Sequence, residues 1–128
     1  MTAATLALTV AALALIETPN GVPAHPGPAG ETGPWQLTPR VRVDRGREIR
    51  ARGEKVTDEA IAREQVLWLE RHLESGGAAP VIFNICLAWN CGLDETLRGR
   101  APVRSFDFAN RVLVMMANIE RERGGLSP

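Results

Sequence analysis

Pro80-Val81-Ile82-Phe83-Asn84-Ile85-Cys86-Leu87-Ala88-Trp89-Asn90-Cys91-Gly92 is apolar almost all round, between a proline that opens it and a glycine that closes it. Periodicity alone allows a buried strand. The length of the run and its Pro-first, Gly-last order favour a central buried helix over 81–91. A helix hydrophobic on every face needs other helices to cover it, and the flanking sequence supplies them. On the N-terminal side, Thr57 is a good N-cap, Val56 and Ile61 sit at hydrophobic-staple positions, and Asp58 and Glu59 suit a first turn. Ile61, Gln65, Trp68 or Leu69, and Leu73 then recur at helical spacing until Ser75-Gly76-Gly77. On the C-terminal side, Ser105 is read as the cap of a last helix in which Phe108, Val112, Met115 and Ile119 share a face.

Further out, residues 2–17 hold Ala and Leu throughout, with no Gly or Pro, and predict a first helix. Residues 18–34 contain five of the nine prolines and four of the twelve glycines, so a loop or short hairpin follows. Ala29-Gly30-Glu31-Thr32-Gly33-Pro34-Trp35-Gln36-Leu37 reads as a tight turn running into an ordered, partly apolar stretch. Residues 40–55 carry seven Arg or Lys and three Glu or Asp and are expected to form a solvated, irregular surface. The expected architecture is mainly α, a single domain over 1–128 with four to five helices around the central buried one and a small loop-rich lobe.

Composition removes several function classes. The 128 residues suit one core, and formal net charge is zero, which argues against nucleic acid. Fourteen of the fifteen basic residues are Arg, and Lys55 is the one lysine, a bias read as coding rather than chemistry. Cys86 and Cys91 fall on different faces of a helix, too far apart for a disulfide, and read as reduced, buried thiols. His25 in a Pro/Gly loop and His72 on a polar helix face do not read as metal ligands, and no cofactor is expected. The uncharged run Met1–Ile16 lacks the positive n-region of a cleavable signal peptide and is short for a membrane span. A buried first helix is better supported than a weak anchor that slips out of the membrane, so no stable membrane anchor is expected.

Glu17 closes that uncharged run and is followed by Thr18-Pro19-Asn20-Gly21. Burial at such a place disfavours the ionised carboxylate and keeps a general acid protonated. The plain alternative is a solvated glutamate at a helix C-terminus, where the dipole does not favour it.

Three elements together, Ile16-Glu17-Thr18, Gly30-Glu31-Thr32-Gly33-Pro34-Trp35-Gln36-Leu37 and Leu87-Ala88-Trp89-Asn90-Cys91-Gly92, give the chain a resemblance to the lysozyme-like superfamily. It resembles the branch of lytic transglycosylases and goose-type or invertebrate-type lysozymes. Members of that branch carry Glu-Ser at the end of the first helix, then Gly-x-x-Gly-(Leu or Pro)-(Met or Tyr)-Gln-(Leu or Ile), then Ala-Tyr-Asn-Ala-Gly. The resemblance spans about residues 8–120 and rests on the order of three short motifs. It implies that Glu17 is the catalytic acid, that Gln36 lines the cleft, and that Asn90 and Gly92 end the buried helix facing the acid. Trp35 takes the Met or Tyr position and would offer a flat face to a sugar ring. Thr18 stands for the usual Ser and Trp89 for the usual Tyr, so only an indole N–H can replace the phenol.

The implied activity is cleavage of the β-1,4 bond between N-acetylmuramic acid and N-acetylglucosamine in peptidoglycan, at the cell wall or periplasm. Protonating a poor leaving oxygen while the sugar becomes oxocarbenium-like needs one neutral acid. A hydrolase adds a second carboxylate, for which Glu31 is better placed by sequence than Asp44, whereas a transglycosylase uses the substrate's own hydroxyl. Structural readings stand beside these roles: an exposed turn glutamate for Glu31, polar bridges between helix ends for Gln36 and Asn90, core packing for Trp35 and Trp89. The rivals in function are a chitin-type glycosidase, an inactive glycan-binding or structural protein on the same fold, and a helical interaction module using the Arg-rich stretch 40–52.

Overall fold

The computed structural model describes residues 1–19 and 26–124. Its described residues form six helices and no strands, with 69% of those residues helical. The helices are α1 (Ala3–Glu17), α2 (Pro39–Ala51), α3 (Asp58–Ser75), α4 (Ile82–Cys91), α5 (Leu93–Leu97) and α6 (Val103–Arg123). The loop expectation for His25 and for Asn20-Gly21 lies outside the described residues.

Helix α1 starts where the Thr2 side chain accepts the Thr5 N–H, and it buries Leu6, Thr9, Val10, Ala12 and Leu13. Thr9 is satisfied within the helix, its hydroxyl donating to the Thr5 carbonyl at 2.7 Å. No helix among the described residues is long and apolar enough to cross a membrane. Helix α3 begins at its Thr57 cap, which accepts from the Ala60 N–H, and ends before Gly76 as the sequence predicts. Helix α4 stops at Gly92, whose φ of 99° is costly for a residue with a Cβ. Cys86 is buried and Cys91 half-buried, and both are free; burial pushes the Cys86 thiol up to about 12.

Two expectations are corrected. Residues 40–55 are not an irregular surface: Pro39–Ala51 is helix α2. Thr38 caps it, accepting from the Val41 N–H at 3.2 Å, and Pro39 supplies the helical φ at the first position. Val41, Arg45 and Ile49 then fall on one inward stripe, with arginine's aliphatic stem filling the middle position, while Arg40–Asp44 pairs along the surface at 3.6 Å. The last helix is not capped by Ser105. It starts at Val103 after Pro102, and Ser105 is buried in the first turn, donating to the Asn90 side-chain oxygen at 2.6 Å. Its inward face uses Met116 beside Phe108, Val112 and Ile119, with Met115 half-buried at the edge. Among the described residues five helices accompany α4, the upper end of the expected four to five, with α2 and the short α5 among them.

Helices α1 and α4 each pack against both α3 and α6, and α2 lies on α3. Leu13, Leu69, Leu73, Ile85 and Val112 fill the core between them. A smaller cluster of Leu37, Ile49 and Ile61 sits under α2 and the preceding turn. Trp35 and Trp89 touch both clusters and mark the seam.

Candidate functional site

At that seam lies a cleft of about 360 Å³, lined by Glu17, Glu31, Gln36, Thr38, Trp89 and Asn90. Glu17 is there because it is the last residue of α1, and Trp89 and Asn90 because they end α4. The opposite wall is the turn. Thr32 and Leu37 exchange backbone hydrogen bonds at 3.1 and 3.0 Å, and the Gln36 N–H donates to the Gly33 carbonyl at 3.0 Å. Closing four residues so tightly requires left-handed backbone at Gly33, φ 80°, and at Gln36, φ 50°. A Cβ at Gly33 would also lie 2.6 Å from the Asp58 carboxylate, which would have to shift away. A strained glutamine held inside a cleft is the kind of backbone outlier that accompanies a functional site.

Burial raises the Glu17 carboxyl above its ordinary value of 4.5. The Trp89 indole N–H faces the carboxylate and opposes this, the Glu31 charge adds to it, and the Arg111 guanidinium opposes it. The result is an acid that keeps its proton to higher pH than a solvated glutamate. Trp89 supplies this N–H where a tyrosine hydroxyl is absent, and unlike a phenol it can only donate. Glu31 lines the same cleft while its Oε1 accepts the Ala29 N–H at 2.7 Å, which ties the carboxylate to its own loop. Asp44, by contrast, pairs with Arg40 on α2 and is not among the residues lining this cleft.

Both amides are oriented from behind. The Asn90 oxygen accepts the Ser105 hydroxyl, leaving its NH₂ as the donor available to a ligand. The Gln36 NH₂ donates to the Gly33 carbonyl at 2.9 Å, leaving its oxygen as the acceptor. The cleft thus offers one donor amide, one acceptor amide, a half-buried acid with a raised pKa and a second carboxylate.

Two residues expected to touch the ligand do not line the cleft. Trp35 turns its indole N–H onto the Val10 carbonyl of α1 at 2.8 Å, and its ring packs against both core clusters rather than presenting a face to a sugar. Thr18 is buried, its hydroxyl shared between the Ala14 carbonyl at 2.9 Å and the Pro34 carbonyl at 3.2 Å. Together they fasten the turn to α1, so they position the site without entering it. Arg42, which the sequence did not single out, fastens the turn from the other side. Its guanidinium pairs with both oxygens of Asp58 and donates to the Thr32 carbonyl at 2.9 Å and the Thr32 hydroxyl at 3.0 Å. The signal was present as an arginine sixteen residues before the acid of a helix N-terminus, a separation that no local pattern reads. Among the described residues no group of three His, Cys, Asp or Glu side chains is placed to hold a metal ion. Comparison with known protein families, curated proteins and solved structures finds no match for this chain.

Proposed function

We propose that this protein is a lysozyme-like glycosidase that cleaves the β-1,4 bond between N-acetylmuramic acid and N-acetylglucosamine in peptidoglycan, acting at the cell wall. The observation that carries the reading is the half-buried Glu17, its pKa raised, in one cleft with Glu31, Gln36 and Asn90. Protonated Glu17 gives its proton to the leaving oxygen of the glycosidic bond as that bond breaks and the sugar becomes oxocarbenium-like. The resulting carboxylate then takes a proton from the attacking group, either water or a hydroxyl of the sugar itself. Glu31 contributes negative charge beside the developing cation and raises the Glu17 pKa. The Asn90 NH₂ and the Gln36 oxygen match the carbonyl and N–H of an N-acetyl group.

The experiment is to incubate the protein and Glu17→Gln with purified peptidoglycan and identify products by mass. Wild type releases fragments, and Glu17→Gln loses about 10²–10⁴-fold of the rate, the usual contribution of a general acid. Anhydro-sugar ends identify a transglycosylase and reducing ends a hydrolase, and cleavage confined to N-acetylglucosamine oligomers identifies a chitin-type enzyme. A second reading, a glycan-binding protein without turnover, is favoured by one contact, the bending of Glu31 onto Ala29 N–H. Binding of peptidoglycan by the wild type with no products at any pH would establish that reading and remove the enzyme.

A further inference from the structure

Asn90 lines the Glu17 cleft as an exposed side chain near the end of α4, and an exposed amide can present either of its ends to a ligand. Turned one way it offers its NH₂ as a donor. Turned by half a revolution it offers its oxygen as an acceptor. The two orientations select opposite ligand groups, so whatever fixes the amide also fixes what the cleft takes. Among the described residues the amide has one hydrogen-bond partner, Ser105 on α6, which does not line the cleft.

Ser105 is completely buried in the first turn of α6, a helix that packs along α4 through Phe108, Ala109 and Val112. Its backbone N–H donates to the Pro102 carbonyl at 2.9 Å. Its hydroxyl hydrogen is sealed from water and has one acceptor in reach among the described residues, the Asn90 side-chain oxygen at 2.6 Å. That length suits O–H···O and is short for N–H···O. A rotated amide would bring its NH₂ to the hydroxyl and strand a buried O–H without an acceptor, which carries the desolvation cost of any buried unpaired donor. The orientation of an exposed amide is thereby set by a buried group that no ligand meets.

We propose that Ser105 is a positioning residue of the Glu17 cleft: its hydroxyl locks Asn90 with the NH₂ outward, so that the cleft takes an acetamido carbonyl and turns away a sugar amine that has lost its acetyl group. This rests on the glycan reading of the cleft and adds the residue that sets its selectivity. A free amine is itself a donor and meets the Asn90 NH₂ donor to donor. Gln36 cannot make the distinction, because its amide is held on the Gly33 carbonyl and offers an oxygen that serves an acetamido N–H and an amine alike. The choice falls to Asn90, and through it to Ser105.

The test measures binding by the full chain carrying Glu17→Gln, so that bound strands are not cut. The ligands are purified peptidoglycan and the same material after N-deacetylation, each sedimented with the protein in about 0.3 M salt, where the pull of free ammonium groups on exposed carboxylates is screened. The acetylated form binds about tenfold tighter, the size expected when one polar contact is mispaired. Adding Ser105→Ala, a substitution that suits a helix, frees the amide to turn, so the acetylated form weakens and most of the preference disappears. Asn90→Asp keeps an acceptor for the Ser105 hydroxyl and shows the cleft only oxygen, so the preference reverses. An equal loss for both forms in Ser105→Ala, or a loss for neither, makes Ser105 a packing residue and overturns the inference while the glycan reading stands. If Ser105→Ala does not fold, Asn90→Asp decides alone, and an unchanged preference overturns the inference. Equal binding of the two forms before either substitution overturns it as well. Failure of both forms to bind removes the glycan reading together with the inference.

Discussion

One wall of the cleft comes from the bundle, where Glu17 ends α1 and Trp89 and Asn90 end α4, with Leu13 and Ile85 fully buried behind them. The facing wall is the Thr32–Leu37 turn and α2, resting on the small cluster of Leu37, Ile49 and Ile61 and on the Arg42 fork. The first wall is positioned by apolar burial and leaves its polar ends unspent. The second is positioned by polar contacts, and most of its side chains are committed to holding the turn shut. The difference explains why the acid sits on the bundle side: a helix end fixed by a large core can carry a half-buried carboxyl whose pKa burial sets. The turn side, in exchange, can bring a strained Gln36 and a tethered Glu31 up to it.

The largest effects break the comparison at its base. Ile85→Ala, in the main core, should cost about 2–5 kcal/mol of stability by urea unfolding. Ile49→Ala is equally buried but lies in the small cluster, where fewer buried neighbours surround the vacated space. Its cost should fall at the lower end of that range, with hydrogen exchange speeding up first in α2 and the turn. If Ile49→Ala costs as much as Ile85→Ala and loosens the chain uniformly, the two walls are one cooperative unit and the contrast fails.

The same contrast decides what could be read from the sequence. Helices α1, α3 and α4 were legible because their apolar residues outnumber or pattern clearly against polar ones. Helix α2 was not. The seven basic residues of 40–55 hid an inward stripe whose middle member, Arg45, is one of the seven, a residue that counts as solvent-seeking in any tally but buries its stem here. Helix α5 is five residues directly after Gly92, too short to carry a period. At the site, Glu17, Glu31, Gln36, Trp89 and Asn90 arrive in one cleft, while Thr18 and Trp35 turn away. A motif fixes which residues are near one another but not which way an indole N–H or a hydroxyl points. For Trp35 and Thr18, carbonyl oxygens of α1 and the turn claimed those donors. Ser105 has the type and position of a cap, and the tertiary partner Asn90 takes its hydroxyl instead.

A middle-sized effect separates positioning from packing. Arg42 and Asp58 are 28% and 37% exposed, so breaking their pair should change stability by no more than about 1 kcal/mol. Arg42→Gln should nevertheless slow the proposed turnover of peptidoglycan about tenfold, because the turn that carries Gln36 and Glu31 loses its outer fastening. The check is a rate measurement beside a thermal melt: a fall in rate that merely tracks a fall in melting temperature assigns Arg42 to packing and breaks the division of labour.

The smallest effects test whether both walls act on the same proton. In the proposed reaction Glu17 must be protonated to act, so turnover should fall as pH rises through its pKa, which burial places above the ordinary 4.5. The Trp89 N–H lowers that pKa, so Trp89→Phe, which keeps an apolar ring there, should move the alkaline limb of the rate profile to higher pH. Glu31 raises it, so Glu31→Gln should move the limb to lower pH; Arg111 lowers it least, so Arg111→Gln should move it slightly up. Two walls and α6 thus give shifts of opposite sign on one titration. Stability carries the same proton with its own sign. The folded protein holds it more tightly than the unfolded chain, so wild type should lose stability relative to Glu17→Gln as pH climbs from 4.5 toward the raised folded value, and the difference should level off above it. A Trp89→Phe limb that moves down would mean that the ring's burial of Glu17, and not its N–H, dominates the contact.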